Sequence, residues 1–251
     1  MPYKHGRPII DSSLPFRIAT ALTFYTVWPI AQLANWLHLS TRFVNRRKLS
    51  GFSRAILVSN HTTFLDPVIV SGMVLPRRTW QTLLEATVEA PFLGTFTRLL
   101  GGIPIPRGKA GFRKLLDSAD LAFKYRRFIH FYPEGECFLY SQRIREFRPG
   151  AFRFAAELDI PVIPLVTVFH EGPFKPWSFL GRSVPRETIV ALDPVYPAGY
   201  IKRDGQGEIS SESVKVFAQA VREIMQNEIN TRHGSSAFFR GRMDRLKGIN
   251  A

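Results

Sequence analysis

From residue 55 onward, short runs of apolar, β-branched and aromatic residues alternate with stretches long enough for a helix. That alternation restricts the chain to an α/β architecture. Strands are predicted at AILVS (55–59), TWQTLL (79–84), RFIHFY (127–132), 162–169 and 187–192, and helices at 67–75, 89–100, 109–124 and 150–158. GIPIP (102–106) predicts a short extended segment outside the centre of any ladder, because proline donates no hydrogen bond. A final amphipathic helix is expected over 211–230, with Val214, Phe217, Ala218, Val221, Ile224 and Met225 on one face. From 234 the chain is rich in Ser, Arg and Lys and is expected to be loosely ordered.

The first fifty residues have a different texture. Between Arg17 and His38 lies IATALTFYTVWPIAQLANWL, twenty residues without a charge, about 30 Å long as one helix. Apolar side chains fall on every side of it, and Thr20, Thr23, Thr26, Gln32 and Asn35 are too dispersed to make a polar face, which disfavours a helix lying on a surface. Pro29 at its middle removes a backbone donor, so a full membrane span and a hairpin dipping into one leaflet both remain open, as does a buried core helix. Trp28, Trp36 and the basic cluster at 42–48 read as interfacial anchors. No small-x-small site follows the run, which argues against a cleaved signal peptide. The expected organisation is a membrane-anchoring helical segment at 1–48, a catalytic domain at 49–233 and a basic tail at 234–251.

A net charge of +14 implies a polyanionic partner: nucleic acid, an anionic membrane or a phosphorylated substrate. Its distribution favours the membrane, since residues 1–50 carry seven Lys/Arg against Asp11, most of them flanking the uncharged run. No nucleic-acid recognition motif is evident, and no nucleic-acid partner is expected. The single cysteine, Cys137, rules out an intrachain disulfide and suits a reducing compartment, so the expected location is the cytoplasmic face of a membrane. His5, His38, His130, His170 and His233 are scattered without metal-ligand spacing.

The stretch SNHTTFLDP (59–67) directly follows a predicted strand, where α/β folds place reactive groups. A carboxylate at Asp66 holding one ring nitrogen of His61 would fix the tautomer, leaving the other nitrogen to accept a hydroxyl proton. Equally, Asp66 would N-cap the helix opened by Pro67, with His61 a polar loop residue.

NHTTFLDP (60–67), GGIPIPR (101–107), YPEGE (132–136) and IPVIPL (160–165) occur in the order and at spacings that resemble the four sequence blocks of the glycerophospholipid acyltransferase family, which includes 1-acylglycerol-3-phosphate acyltransferases. FRPGAFRFA (147–155) is similar to the basic stretch that follows the third block. The resemblance covers about residues 50–170. It implies a central mixed sheet flanked by helices, and acyl transfer from a thioester, acyl-CoA or acyl carrier protein, to a lysophospholipid hydroxyl without an acyl-enzyme or cofactor. His61 would be the base and Asp66 its orienting partner. Arg107, Glu134 and Gly135 would form the acceptor site, Arg107 meeting a phosphate through its planar fork. Glu134 equally reads as a structural acceptor.

The third block departs from the family, whose Glu-Gly-Thr-Arg becomes Glu-Gly-Glu-Cys here. The change removes a cation and adds Glu136, so either Arg143, Arg145 or Arg148 compensates in binding the acceptor, or the acceptor is not a simple lysophosphatidate. Cys137 is read as a packed thiol. A non-catalytic membrane-surface protein of the same fold is the alternative that this departure motivates, and retention of His61 and Asp66 argues against it.

Overall fold

The computed structural model describes residues 8–105, 108–172 and 185–244. In chain order its elements are α1 (Leu14–Leu39), β1 (Arg42–Val44), β2 (Ala55–Ser59), α2 (Asp66–Val74), β3 (Trp80–Leu84), α3 (Glu85–Glu89), α4 (Leu93–Leu99), β4 (Gly102–Ile105), α5 (Gly108–Asp117), α6 (Ala119–Tyr125), β5 (Phe128–Phe131), α7 (Gly150–Glu157), β6 (Val162–His170), β7 (Arg186–Ala191) and α8 (Ser211–Thr231).

The seven strands form one mixed sheet in the order β1-β7-β6-β2-β5-β3-β4, in which only the β6–β7 pairing is antiparallel. β2 is buried along its whole length, which explains its unbroken apolar run. Its side chains still alternate: Ile56 and Val58 join the core beneath α5–α8 with Phe152, Phe154 and Phe217, whereas Ala55 and Leu57 pack with Ile69, Val70 and Met73 of α2. The chain leaves β2 toward β3 on one side, while β6 lies on the other. The carboxyl ends of β2 and β5 therefore flank the crevice where such sheets bind ligands.

The short β4 sits at the sheet edge, where Pro104 pairs opposite Leu83 without interrupting an inner ladder. The helix expected at 89–100 starts only at Leu93, after Pro91 and Phe92, whose φ is +59°, and the short α3 that precedes it was not expected; the helix expected at 109–124 is divided at Ser118, whose hydroxyl donates to the Lys114 carbonyl. The segment 42–48, read as an interfacial anchor, contributes β1 to the sheet beside β7.

The apolar run near the amino end forms one helix that continues through Pro29, so the hairpin reading is not upheld. No helix among the described residues is long and apolar enough to cross a membrane, which overturns the full span. α1 instead lies against α2 and α4. Thr20, Phe24, Asn35 and Leu39 are buried, while Leu14, Ile18, Leu22, Ile30, Leu33 and Trp36 remain exposed. The run is apolar all round because one side meets the protein and much of the other is bare.

Candidate active site

His61 and Asp66 come together in the loop between β2 and α2, with Nδ1 of His61 2.7 Å from Oδ2 of Asp66. Asp66 is buried and turned back on the loop rather than capping α2. It accepts from the Thr62 N–H (2.6 Å), the Thr63 N–H (3.0 Å) and the Thr63 hydroxyl (2.7 Å). A carboxylate so surrounded holds His61 with Nδ1 as donor, leaving Nε2 with its lone pair to accept a proton. The capping alternative is therefore set aside. Asn60 anchors the loop to β6, its amide donating to the Thr167 carbonyl (3.0 Å) and accepting from the Thr167 N–H (2.9 Å).

The residues after β5 form the other wall. The Tyr132 ring stacks on the His61 imidazole at 4.0 Å between centroids and 21° between planes. Burial, with Asp66 nearby, pushes the Tyr132 phenol well above its ordinary range. Behind it, His130 bridges Ser59 and Gln81 at 2.9 and 2.8 Å, and burial with the neighbouring His61 pulls it down to about 3, so it stays neutral.

Both oxygens of Glu134 are taken by backbone: one accepts from the His61 N–H (3.0 Å), the other from the Arg145 N–H (2.9 Å). Burial raises this carboxyl to about 7 despite those bonds. This geometry gives Glu134 a positioning role and fits the structural reading. Gly135 has φ +72°, and a β-carbon there would lie 2.6 Å from Nε and Cζ of Arg148, so the glycine lets the exposed Arg148 cross the backbone closely. Arg145 lies over the Phe138 ring at 4.6 Å. Arg107 lies outside the described residues.

The loop Glu136–Tyr140 is held on two edges. Phe138 and Tyr140 donate to the His61 and Thr62 carbonyls (2.9 Å each). On its other edge, Leu139 donates to Gly241, and Arg240 and Met243 donate to Leu139 and Cys137 (3.1 and 2.9 Å). Within the segment expected to be loose, residues 240–243 thus form an antiparallel bridge, Phe138 opposite Arg242, beside the catalytic loop, satisfying an edge otherwise left without partners, while 245–251 lie outside the described residues. Cys137 is buried, and desolvation beside Asp66 and Glu134 pushes its thiol up, away from nucleophilic reactivity.

Sequence reasoning missed Tyr132, Asn60 and the tail contacts. The Tyr in YPEGE was visible, but its stacking on His61 depends on how β2 and β5 pair.

A histidine held by a buried carboxylate at the carboxyl end of a central strand defines a general-base site on an α/β scaffold. The acyltransferase family model matches residues 40–168, and the chain belongs to that family. It is 28% identical over 152 residues to the 1-acyl-sn-glycerol-3-phosphate acyltransferase of Saccharomyces cerevisiae, an alignment covering 59% of this chain and 47% of that protein. The chain therefore spans about half the length of the curated relative it matches. Among solved structures, the 1-acyl-sn-glycerophosphate (LPA) acyltransferase PlsC from Thermotoga maritima shares the fold, with a TM-score of 0.56 at 16% identity, covering 88% of this chain and 84% of that one.

Proposed function

We propose that the protein is an O-acyltransferase moving a fatty acyl chain from an acyl thioester, acyl-CoA or acyl carrier protein, to the hydroxyl of a lysophospholipid such as 1-acylglycerol-3-phosphate. The observation that carries this reading is the 2.7 Å pairing of His61 Nδ1 with the buried Asp66 carboxylate, in a chain of the acyltransferase family. Nε2 of His61 removes the proton as the acceptor oxygen attacks the thioester carbonyl. The tetrahedral intermediate collapses with cleavage of the C–S bond, and the imidazolium returns its proton to the departing thiolate. A base placed in this way contributes about 10²–10⁴-fold in rate. Arg148, crossing Gly135 beside the site, supplies a cation for the acceptor phosphate, and Arg107 shares that role, as the resemblance to the family implies.

The reaction runs at the cytoplasmic face of an anionic membrane. Supporting this are the bare apolar residues of α1, the exposed Phe64 between the two catalytic residues, and Phe92 at 90% exposure. An apolar surface of this extent marks contact with lipid or protein, and the surplus of cations suits an anionic leaflet. The test is incubation of the purified protein with labelled acyl thioester and vesicles carrying a panel of lysolipids. Transfer of label to lysophosphatidate in the wild type and its loss in His61→Ala is the expected result, and label transfer unaffected by His61→Ala would refute the mechanism.

A further inference from the structure

Three arginines converge where the amino end of α1 crosses the starting ends of β3 and β5. Arg17, Arg78 and Arg126, with Trp80, Tyr125 and Asp11, line a cleft of about 70 Å³, several times the ~10–15 Å³ that one ordered water requires. Arg126 is only 5% exposed; its Nη1 donates to the Thr79 carbonyl (2.7 Å) and its guanidinium lies 3.9 Å from the Trp80 ring centroid. Arg78 donates to the Thr20 hydroxyl (3.1 Å) and Arg17 stacks over Tyr125 (4.6 Å).

None of the three forms an ion pair with a carboxylate among the described residues. The remainder of the sequence contains no Asp or Glu. Asp11, the one carboxylate on the wall, accepts from the Ser13 N–H (3.0 Å). A buried cation without a counter-ion is costly, and burial together with the charge of Arg78 pulls Arg126 down to about 9. An anion entering the cleft would offset both the burial of the charge and the repulsion between the arginines, and guanidinium forks match phosphate oxygens.

The rim indicates which phosphate. Leu14, Ile18 and Leu22 form an exposed stripe at i, i+4 and i+8 on α1, running past Arg17. A phosphate in the cleft would therefore have bare apolar surface beside it, which an acylated glycerol can cover and a free ion cannot. The place is remote from the acyl-transfer site. Arg17 to Gln32 is about 22 Å along the helix, and it is Gln32 that reaches the Val68 carbonyl, two residues beyond Asp66.

We infer that this cleft is a second anion site, taking the phosphate group of an anionic lipid apart from the acceptor site near His61. The test is calorimetric titration of the full chain with inorganic phosphate and with soluble dihexanoylphosphatidate, which needs no turnover and so stands whatever the outcome for acyl transfer. Dihexanoylphosphatidate should bind the wild type at two sites. Arg17→Gln with Arg78→Gln should abolish one of them and weaken phosphate binding at least about tenfold, whereas Arg148→Gln should leave that site intact. Tighter binding of the lipid than of phosphate in the cleft identifies a lipid headgroup; equal binding keeps the anion site and identifies free phosphate as its ligand. Arg17→Gln alone, at an exposed helix position, gives the same readout should the double variant not fold. Wild-type stoichiometry and affinity in the arginine variants would overturn the inference.

Discussion

The Glu136 carboxylate lies 3.2 Å from the guanidinium of Arg242, a pair that joins the altered third block to a tail residue 106 positions later. The added negative charge, which by itself would repel an acceptor phosphate, is thus matched by a cation that local sequence does not supply. Two strand spacings of about 4.8 Å separate Arg242, through Phe138, from the His61 backbone, about 10 Å in all. The pair is largely exposed on the Arg242 side and adds at most about 1 kcal/mol to stability. Its effect is expected in acceptor choice. Arg242→Ala should lower kcat/KM for lysophosphatidate relative to a neutral lysolipid by up to about tenfold, and Glu136→Thr should raise that ratio. Glu136→Thr alone is the cleaner substitution, because Cys137 is buried and an arginine there would need to displace its neighbours. An unchanged ratio in both variants would place the pair outside the acceptor's field.

Replacing the two catalytic residues should give different signatures. His61→Ala removes the base but leaves the loop bonds of Asp66 in place, so activity should fall by about 10²–10⁴-fold with Tm nearly unchanged. Asp66→Ala strips acceptors from the N–H groups of Thr62 and Thr63. Its activity loss should be smaller, because the base remains, but its Tm should drop measurably, since buried donors left unmatched cost about 1–3 kcal/mol. Thermal melts and thioester consumption with lysolipid present separate the two effects.

Glu187 gives the fold a pH dependence. This fully buried carboxyl accepts from the Thr41 hydroxyl (2.6 Å), and desolvation raises it from 4.5 to about 8. A carboxyl raised on folding binds its proton more tightly in the native state than in the unfolded chain. Its contribution is therefore complete below about pH 4.5 and declines as pH rises toward 8. Glu187→Gln keeps the shape and removes the titration. Denaturant melts at pH 5 and pH 8 should show the stability difference between variant and wild type moving in favour of the variant by more than about 1 kcal/mol. A difference independent of pH would contradict the assigned burial of this carboxyl.

The bare side of α1 is expected to hold the protein on lipid. Leu22→Glu with Leu33→Glu changes two exposed positions, so Tm should remain near the wild-type value. Co-sedimentation with anionic vesicles should fall several-fold, since each side chain contributes roughly 1.5–3 kcal/mol when buried in an apolar phase. Undiminished sedimentation would move the membrane contact to the Phe64 and Phe92 region.

Much of this was legible along the chain. The central strands β2 and β6 announced themselves as short, largely apolar runs, because a strand covered on both faces is filled mainly by apolar side chains. His61 and Asp66 were legible as a pair because only four residues of one tight loop separate them, and a loop that short is governed by its own residues. What the sequence did not disclose depends on pairing between distant segments. β1, at three residues, carries too little pattern to be seen and exists because β7 offers it an edge. Glu134 was ambiguous until the fold brought the His61 and Arg145 amides to its two oxygens, and residues 240–243 of the basic tail found their backbone partners along the edge of 137–139. The arginine cleft gathers residues 17, 78 and 126 from one helix and two connections far apart in the chain. Local periodicity encodes which face a residue shows, but the identity of what it meets there is set by sheet order and register, which arise only when hydrogen bonds and burial are satisfied across the whole chain at once.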